Sequence, residues 1–336
     1  MSVRLALALG LLSWLSYSCS TDITLEAEWK DIPVVYGILN LEDTAHYVRV
    51  EKAFLEPGGN ALEIAQNPDS IYYDDARISV ELERVSNGER FRLERVDGNL
   101  EGYPREEGPF ASAPNYLYKI RSNAINLQAG EEIRFVLNRG DDLEPATATT
   151  AVLDSVEMAR NRPGEPLNLL PYERNVTWLW RVGDNAALFD VRMTIRYLEQ
   201  APGQSEFVEK ELEWVLDKQL ERSDFNQAQV VFTFQGEDFY RFLNESVEAD
   251  GSLRQLIGLD FKVVAIGREY TDFLEVANAN LGITGAQNIP VFSNIENGQG
   301  LFTSRSDGMR IGLTLGAESV DSLRNGVFTE DLNFFQ

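Results

Sequence analysis

The chain of 336 residues contains one cysteine, Cys19, and one histidine, His46. A lone cysteine forms no disulfide within the chain. The folded part is therefore expected to rely on core burial, which domains of roughly 150 residues can supply. One thiol and one imidazole fall short of the three or four such ligands of an ordinary zinc site, so no metal is expected. A Ser-His-Asp triad would have to run through His46, which sits at the start of a strand pattern beside Tyr47 and reads as a surface histidine. No phosphate-binding glycine motif is present, and no cofactor is expected. Positive charge is also scarce, with 30 Lys and Arg against 54 Asp and Glu, a net charge of −24. Such a surface repels phosphate backbones, which argues against nucleic acid as a partner. Solubility is the plain reading of this charge, and docking to a basic partner or binding cations is the alternative.

Long apolar runs are missing too. The longest opens the chain, from Leu5 to Leu15 after Arg4, and is shorter than the ~20 residues of a membrane-spanning helix. A basic residue, a short apolar run and small residues (Ser16 and Ser18 around Tyr17) make a signal-peptide layout over residues 1–18. Cys19 follows at once, and the next residues are polar and acidic. Three readings of Cys19 compete: the lipid attachment site of a bacterial lipoprotein, a cysteine discarded with an ordinary signal peptide, and a small buried hydrophobe. Its place at the border of apolar and polar sequence fits lipidation best. Ser16 and Tyr17 depart from the usual lipobox, which prefers Leu three residues before the cysteine and a small residue two before it. Acyl chains on Cys19 would hold the protein durably, since each buried CH₂ contributes about 0.8 kcal/mol.

Aromatic residues at 10% and hydrophobic residues at 43% support real cores. After a tether over 19–33, period-two patterns dominate. "VVYGIL" (34–39) reads as a buried strand, while "HYVRVEKAF" (46–54), "ISVELERV" (78–85), "ERFRLERV" (89–96), "YLYKIR" (116–121) and "EEIRFVL" (131–137) alternate. "ATATTAVL" (146–153) completes about seven strands, the count of an immunoglobulin-like or transthyretin-like sandwich over 34–158. Residues 58–73 read as a long connection holding one helical turn. Three prolines and a glycine in "ARNRPGEPLNLLP" mark 159–174 as a linker. Over 175–336 the strand pattern resumes at "VTWLWRV" and "LFDVRMTIRYL", with helical periods inserted at 236–249, 268–280 and 317–325. "GLFTS" and "MRIGLTLG" read as two late strands. The expected fold is mainly β: two sandwich-like domains, the second with two or three helices inserted.

Catalytic groups are hard to find. Asp74–Asp75, Glu106–Glu107 and Asp141–Asp142 are adjacent pairs, and neighbours on a strand point to opposite faces. Carboxylates are plentiful, so their number leaves a glycosidase-like acid/base pair open. Exposed aromatics would serve a glycan or peptide binder, and Trp178, Trp180, Tyr72, Tyr73 and Tyr103 are the candidates, although a core role suits the tryptophans better. The segment "GITGAQNIPVFSNIENGQGLF" (282–302) is rich in Gly and Asn. Asn294, Glu296, Asn297, Gly298, Gly300 and Phe302 form the candidate partner or ligand loop, with a structured turn before a strand as the plainer reading.

"PVVYGILNLEDTAHYVRVEKAFL" after the leader, and "SNIENGQGLFTSR" near the carboxyl end, resemble a large group of uncharacterised lipoproteins of Bacteroidota that carry a domain of unknown function. The resemblance implies an outer-membrane lipoprotein, often encoded beside TonB-dependent transporters, and implies no reaction. It also implies O-glycosylation at Asp-Ser/Thr triplets, present here at Asp43-Thr44, Asp69-Ser70, Asp154-Ser155 and Asp321-Ser322. The expected function is thus non-enzymatic: a protein-interaction or accessory module held at the outer membrane, facing the periplasm or the cell surface, for a transporter or assembly protein. A surface glycan- or nutrient-binding protein is the alternative, and a carboxylate-based hydrolase comes third. Mass spectrometry of the mature amino terminus is expected to find acylated Cys19 as the first residue. An unmodified start at any other residue overturns the anchor.

Overall fold

The structure is a computed structural model and describes residues 32–53, 60–140, 142–159, 165–222, 229–280 and 292–335. Cys19, the signal sequence 1–18 and nearly all of the tether 19–33 lie outside the described residues. In chain order the first strands are β1 (Pro33–Leu39), β2 (Ala45–Lys52), β3 (Ser79–Arg84), β4 (Glu89–Arg92), β5 (Glu94–Asp97), β6 (Tyr116–Arg121), β7 (Glu132–Asn138) and β8 (Ala146–Ala151). They are followed by β9 (Glu157–Met158), β10 (Asn175–Arg181), β11 (Ala186–Gln200), β12 (Val208–Glu221), β13 (Gln229–Gln235), β14 (Leu253–Gly267) and β15 (Gln299–Leu313). Helices are α1 (Ala61–Ala65), α2 (Pro68–Ile71), α3 (Ser122–Ile125), α4 (Gly236–Ser246), α5 (Arg268–Asn280) and α6 (Ala317–Asn325).

The molecule is mainly β and forms two sandwiches. One eight-stranded sheet, ordered β12-β11-β14-β15-β1-β2-β6-β5, runs through both. A four-stranded sheet, β4-β3-β7-β8, covers one half of it and a three-stranded sheet, β13-β10-β9, accompanies the other. Each half has its own core. In the first, Val35, Leu39, Val48 and Val50 of the long sheet meet Val80, Leu82, Ile133 and Phe135. The alternation that predicted these strands follows from the pleat, which sends every second side chain inward. In the second core Trp178 stacks flat on Phe261, with ring centroids 3.8 Å apart, and Trp180 meets Phe189 edge-on at 5.4 Å. Helices α4 and α6 add Phe239, Tyr240, Leu243 and Leu323 to that core. Among the described residues no helix is long and apolar enough to cross a membrane.

Two expectations are corrected. The two late strands are one, β15. Its first six residues run parallel to β1, from Val34 opposite Gln299 to Leu39 opposite Ser304, and the rest runs antiparallel to β14, from Ile266 opposite Arg305 to Leu259 opposite Leu313. Gly308 is no turn. A Cβ there would lie 2.4 Å from Val156 Cγ1, so the glycine lets the crossing chain approach the strand. The chain also does not divide cleanly at 159–174. The first core draws Ile295 and Phe302 from the far end of the sequence. Within the expected linker, residues 160–164 lie outside the described residues, while Leu167 and Leu169 are buried in the second core and Leu167 bridges to Leu315.

The segment that passes between the sandwiches lies against β15. Leu153 N–H donates to Ser304 Oγ at 2.9 Å and Val156 N–H to Ser306 Oγ at 3.1 Å. These buried serines satisfy main-chain donors that the ladders do not reach. Near the carboxyl end, buried Arg254 is held by Glu199 and Asp250, each at 2.9 Å, and donates to the carbonyl of Leu332.

Because β15 is common to both cores, damage in one is expected to register in the other. Phe302→Ala removes a fully buried ring from the first core and should cost about 3–5 kcal/mol. Trp178, Trp180 and Trp214 all belong to the second core. Urea unfolding followed by tryptophan fluorescence should therefore shift to lower midpoint in a single transition. An unchanged tryptophan transition would show the halves to be independent.

Candidate functional site

The loop singled out in the sequence is used inside the protein. Asn294 clamps Phe302 at two points: its Nδ2 donates to the Phe302 carbonyl at 2.7 Å and its Oδ1 accepts the Phe302 N–H at 2.9 Å. Glu296 exchanges main-chain hydrogen bonds with Thr147 of β8 at 2.7 and 3.1 Å, and its carboxylate accepts the Thr147 hydroxyl at 3.0 Å. Asn297 takes a φ of +55° and donates to the carbonyl of Pro145. Gly300 has φ +118°, and a Cβ on it would lie 1.9 Å from the Val35 carbonyl oxygen. Gly298 is similarly crowded by Pro33 and Ile295. Phe302 is buried against Phe135. All six residues come together, but as a staple of β15 onto β1 and β8.

The aromatic candidates separate in the same way. Trp178 and Trp180 are fully buried, and Tyr72 and Tyr73 nearly so. Tyr103 alone of the five is exposed, at 53%. The carboxylate pairs do not converge: Asp74 faces Arg77 and Asp75 faces Arg95, each at 3.7 Å, Glu106 and Glu107 point to solvent, and Asp141 lies outside the described residues. Among the described residues no three His, Cys, Asp or Glu side chains gather as a metal site.

His46 is buried on the core face of β2, contrary to the surface position expected of it. Its Nε2 lies 3.4 Å from Ser122 Oγ, and Asp43 is close enough to act on its charge. This is no triad. Ser122 Oγ donates to the main-chain carbonyl of Asp43, and His46 Nδ1, which a triad would give to a carboxylate, has no hydrogen-bond partner. Burial pushes the imidazole pKa below 6.5, against a smaller upward pull from Asp43.

What the sequence reading missed is the outer face of β1, β2 and β6. "VVYGIL" read as wholly buried, yet Tyr36 and Ile38 are 49% and 47% exposed. Tyr36 stands opposite Arg49, and Tyr47 opposite Lys119. The Tyr103 ring leans on Tyr47 with centroids 4.8 Å apart, and the Lys119 ammonium lies 5.6 Å from the centre of the Tyr47 ring. Tyr47 donates its hydroxyl to Glu101 at 2.9 Å, and Lys119 forms an ion pair with the same carboxylate. Hydrogen bonds from Lys119 and then Tyr47 hold the Glu101 pKa below its usual value, while burial and then Glu101 raise that of Tyr47, which therefore stays a donor. Buried Asn115 fixes the loop behind Tyr103. It accepts from Arg49 Nη1 at 2.8 Å and donates to the Tyr103 carbonyl at 2.8 Å. Arg105 ties the same loop to Glu51. The result is a face of tyrosine and isoleucine with charged groups already paired around it.

No protein-family model matches the chain, and no curated protein matches it. Among solved structures it is similar to the FN1–FN3 domains of chicken CNTN1, at 10% identity over 84% of this chain and 67% of that one, with a TM-score of 0.17. It is also similar to the calcium-binding domain CBD12 of CALX1.1, at 10% identity over 81% of this chain and 98% of that one, with a TM-score of 0.15. Likeness at these scores carries no argument, and the fold rests on the strand pairings themselves.

Stability should report the burial of His46. The unfolded imidazole takes its proton at about pH 6.5 and the folded one at lower pH. Below about pH 6.5 the unfolded state gains the proton first, so the contribution is full above that value and is lost as pH falls toward the folded pKa. Wild type should lose stability more steeply than His46→Gln between about pH 6.5 and 5. Parallel urea-midpoint curves for the two would contradict this.

Proposed function

We propose that this chain is a non-enzymatic, lipid-anchored envelope protein that binds a protein partner through the face of Tyr36, Ile38, Tyr47 and Tyr103. The observation that carries the reading is the exposure of Tyr36, Ile38 and Tyr103 beside a strand pair whose polar groups are already satisfied. Tyrosine and arginine are enriched at protein interfaces, and large apolar side chains gathered at the surface mark interaction sites. The nearest charges, Lys119 with Glu101 and Arg49 with Glu51, are neutralised in pairs, so a partner covering Tyr36, Tyr47 and Tyr103 strands neither of them. Cys19 with its leader supports attachment to the outer membrane, and the resemblance given above supports an outer-membrane transporter or assembly protein as the partner.

A glycan is the second reading. It is favoured by the Tyr47–Tyr103 pair, which offers a ring face beside the Glu101 carboxylate and the Lys119 ammonium.

Gentle detergent extraction with the tagged full-length protein should recover an outer-membrane protein. Tyr36→Glu combined with Tyr103→Ser should lose it while keeping the unfolding free energy from urea titration within about 0.5 kcal/mol of wild type, as surface changes do. Recovery of no outer-membrane protein by wild type, or equal recovery by the variant, would defeat the reading. Loss of glycan-array binding in the same variant would put the second reading first. Cys19→Ser should release the chain from the membrane fraction.

A further inference from the structure

At the edge of the first sandwich, between β4, β5, β6 and α3, lies a cleft of about 420 Å³. That volume falls within the range of small-ligand sites. Phe91, Val96, Ile120 and Ala124 supply its apolar wall. Its charged lining is Arg92, Lys119 and Arg121 against Glu94 and Glu101, which leaves one positive charge in a chain of net −24.

The cations differ in their engagement. Lys119 is neutralised by Glu101. Several other arginines meet carboxylates: Arg84 meets Glu131 at 2.7 Å, Arg90 meets Glu83 at 2.7 Å, and Arg192 meets Asp190 at 2.6 Å. Arg92 and Arg121 are exposed, and their side chains make no hydrogen bond or ion pair among the described residues. The charge of Arg121 contributes to holding the Glu101 pKa low, the smallest of its causes. Two guanidinium forks without partners, next to a hydrocarbon wall, are complementary to an anion that carries an apolar body. The single excess charge, and Glu94 within the lining, suit a monoanion and disfavour a phosphate dianion.

We propose that this cleft binds a carboxylate joined to a short apolar body, with Arg92 and Arg121 holding the carboxylate and Phe91 and Val96 covering the hydrocarbon. A fatty acid and the carboxyl end of a peptide with apolar last residues share this chemistry. The site touches the tyrosine face only through Lys119 and Glu101, and its failure would leave the partner-binding reading standing.

The test is isothermal titration of the purified soluble Cys19→Ser chain at low ionic strength with four probes: octanoate, N-acetyl-Phe-Leu, the carboxamide of that peptide, and inorganic phosphate. Saturable binding of octanoate or the peptide acid at one site per chain is expected, with the carboxamide and phosphate at least about 10-fold weaker, given the strength of charge-assisted hydrogen bonds. Tighter binding of octanoate assigns a lipid-derived ligand, and tighter binding of the peptide acid assigns a chain terminus. Arg92→Gln combined with Arg121→Gln should weaken the acid about 10-fold or more while leaving the carboxamide and the urea midpoint unchanged. Should that double variant fold poorly, Arg92→Lys with Arg121→Lys keeps the charge and is expected to bind with intermediate affinity, since an ammonium lacks the planar fork. Equal binding of acid and carboxamide, phosphate binding as tight as the acids, or full affinity in the glutamine variant would each overturn the proposal, as would the absence of saturable binding by any carboxylate.

Discussion

Strand β15 pairs with β1 over its first six residues and with β14 over the remainder, and both sandwiches close only around it. The constraint is demanding in sequence terms, because Val35 must find Gly300 across most of the chain. Contacts of that separation form late and slowly compared with hairpins. Once formed, they explain features that look unrelated. Gly300 leaves room for the Val35 main chain, and Gly308 leaves room for the Val156 side chain. Gly37 does the same for the Phe302 ring, since a Cβ there would meet its Cδ2 at 2.9 Å. Ser304 and Ser306 take up the main-chain donors of the crossing segment. The Asn294 clamp and the Glu296–Thr147 bridge fix the start of the strand before it enters the sheet.

Local pattern carried most of the strands into view. The alternation of Phe189, Val191, Met193, Ile195 and Tyr197 predicts β11, and all five are buried. Such strands have one wet face, so hydropathy alternates with the pleat. Pattern failed where chemistry and exposure part company. Tyr36 and Ile38 are apolar in type and outward in fact, so β1 looked buried through and through. The prolines and glycine at 159–171 gave a boundary signal, but the leucines between them pack into a core. Nothing local says that "GLFTS" belongs to one sandwich and "MRIGLTLG" to the other along a single strand. The loop at 294–302 was legible as special because Asn and Gly report unusual backbone. Whether that backbone serves a ligand or the fold depends on Thr147, Pro145 and Val35, which are remote in sequence.

The polar groups around the tyrosine face follow a different logic from the core. Single ion pairs at a surface contribute little to stability, commonly ~0–1 kcal/mol. The Tyr47–Glu101–Lys119 set and the Arg49–Asn115–Tyr103 chain are therefore poor candidates for what holds the sandwich together. Their effect is positional. Buried Asn115 sets the Tyr103 backbone, Arg105 and Glu51 anchor the loop that carries it, and Lys119 lies over the ring that Tyr103 leans on. Side chains ordered in this way before contact lose less freedom when a partner arrives, and such losses run to about 0.5–1.5 kcal/mol for each flexible side chain.

The borders of that face follow from the same sheet. On the β15 side, Thr303 points outward and donates to Glu269 of α5 at 2.9 Å, so the helix covers the outer surface there and buries Leu301 and Thr303. On the opposite side β5 ends the sheet, and the cleft of Arg92 and Arg121 opens beyond it. Strands β1 and β2 lie between a covered zone and an edge. Their inner residues are committed to the first core, and Tyr36 and Ile38 stay outward, since among the described residues the helix beside β15 does not extend over them. A shared strand thus accounts for the union of the two sandwiches and also for the place where one of them is left uncovered.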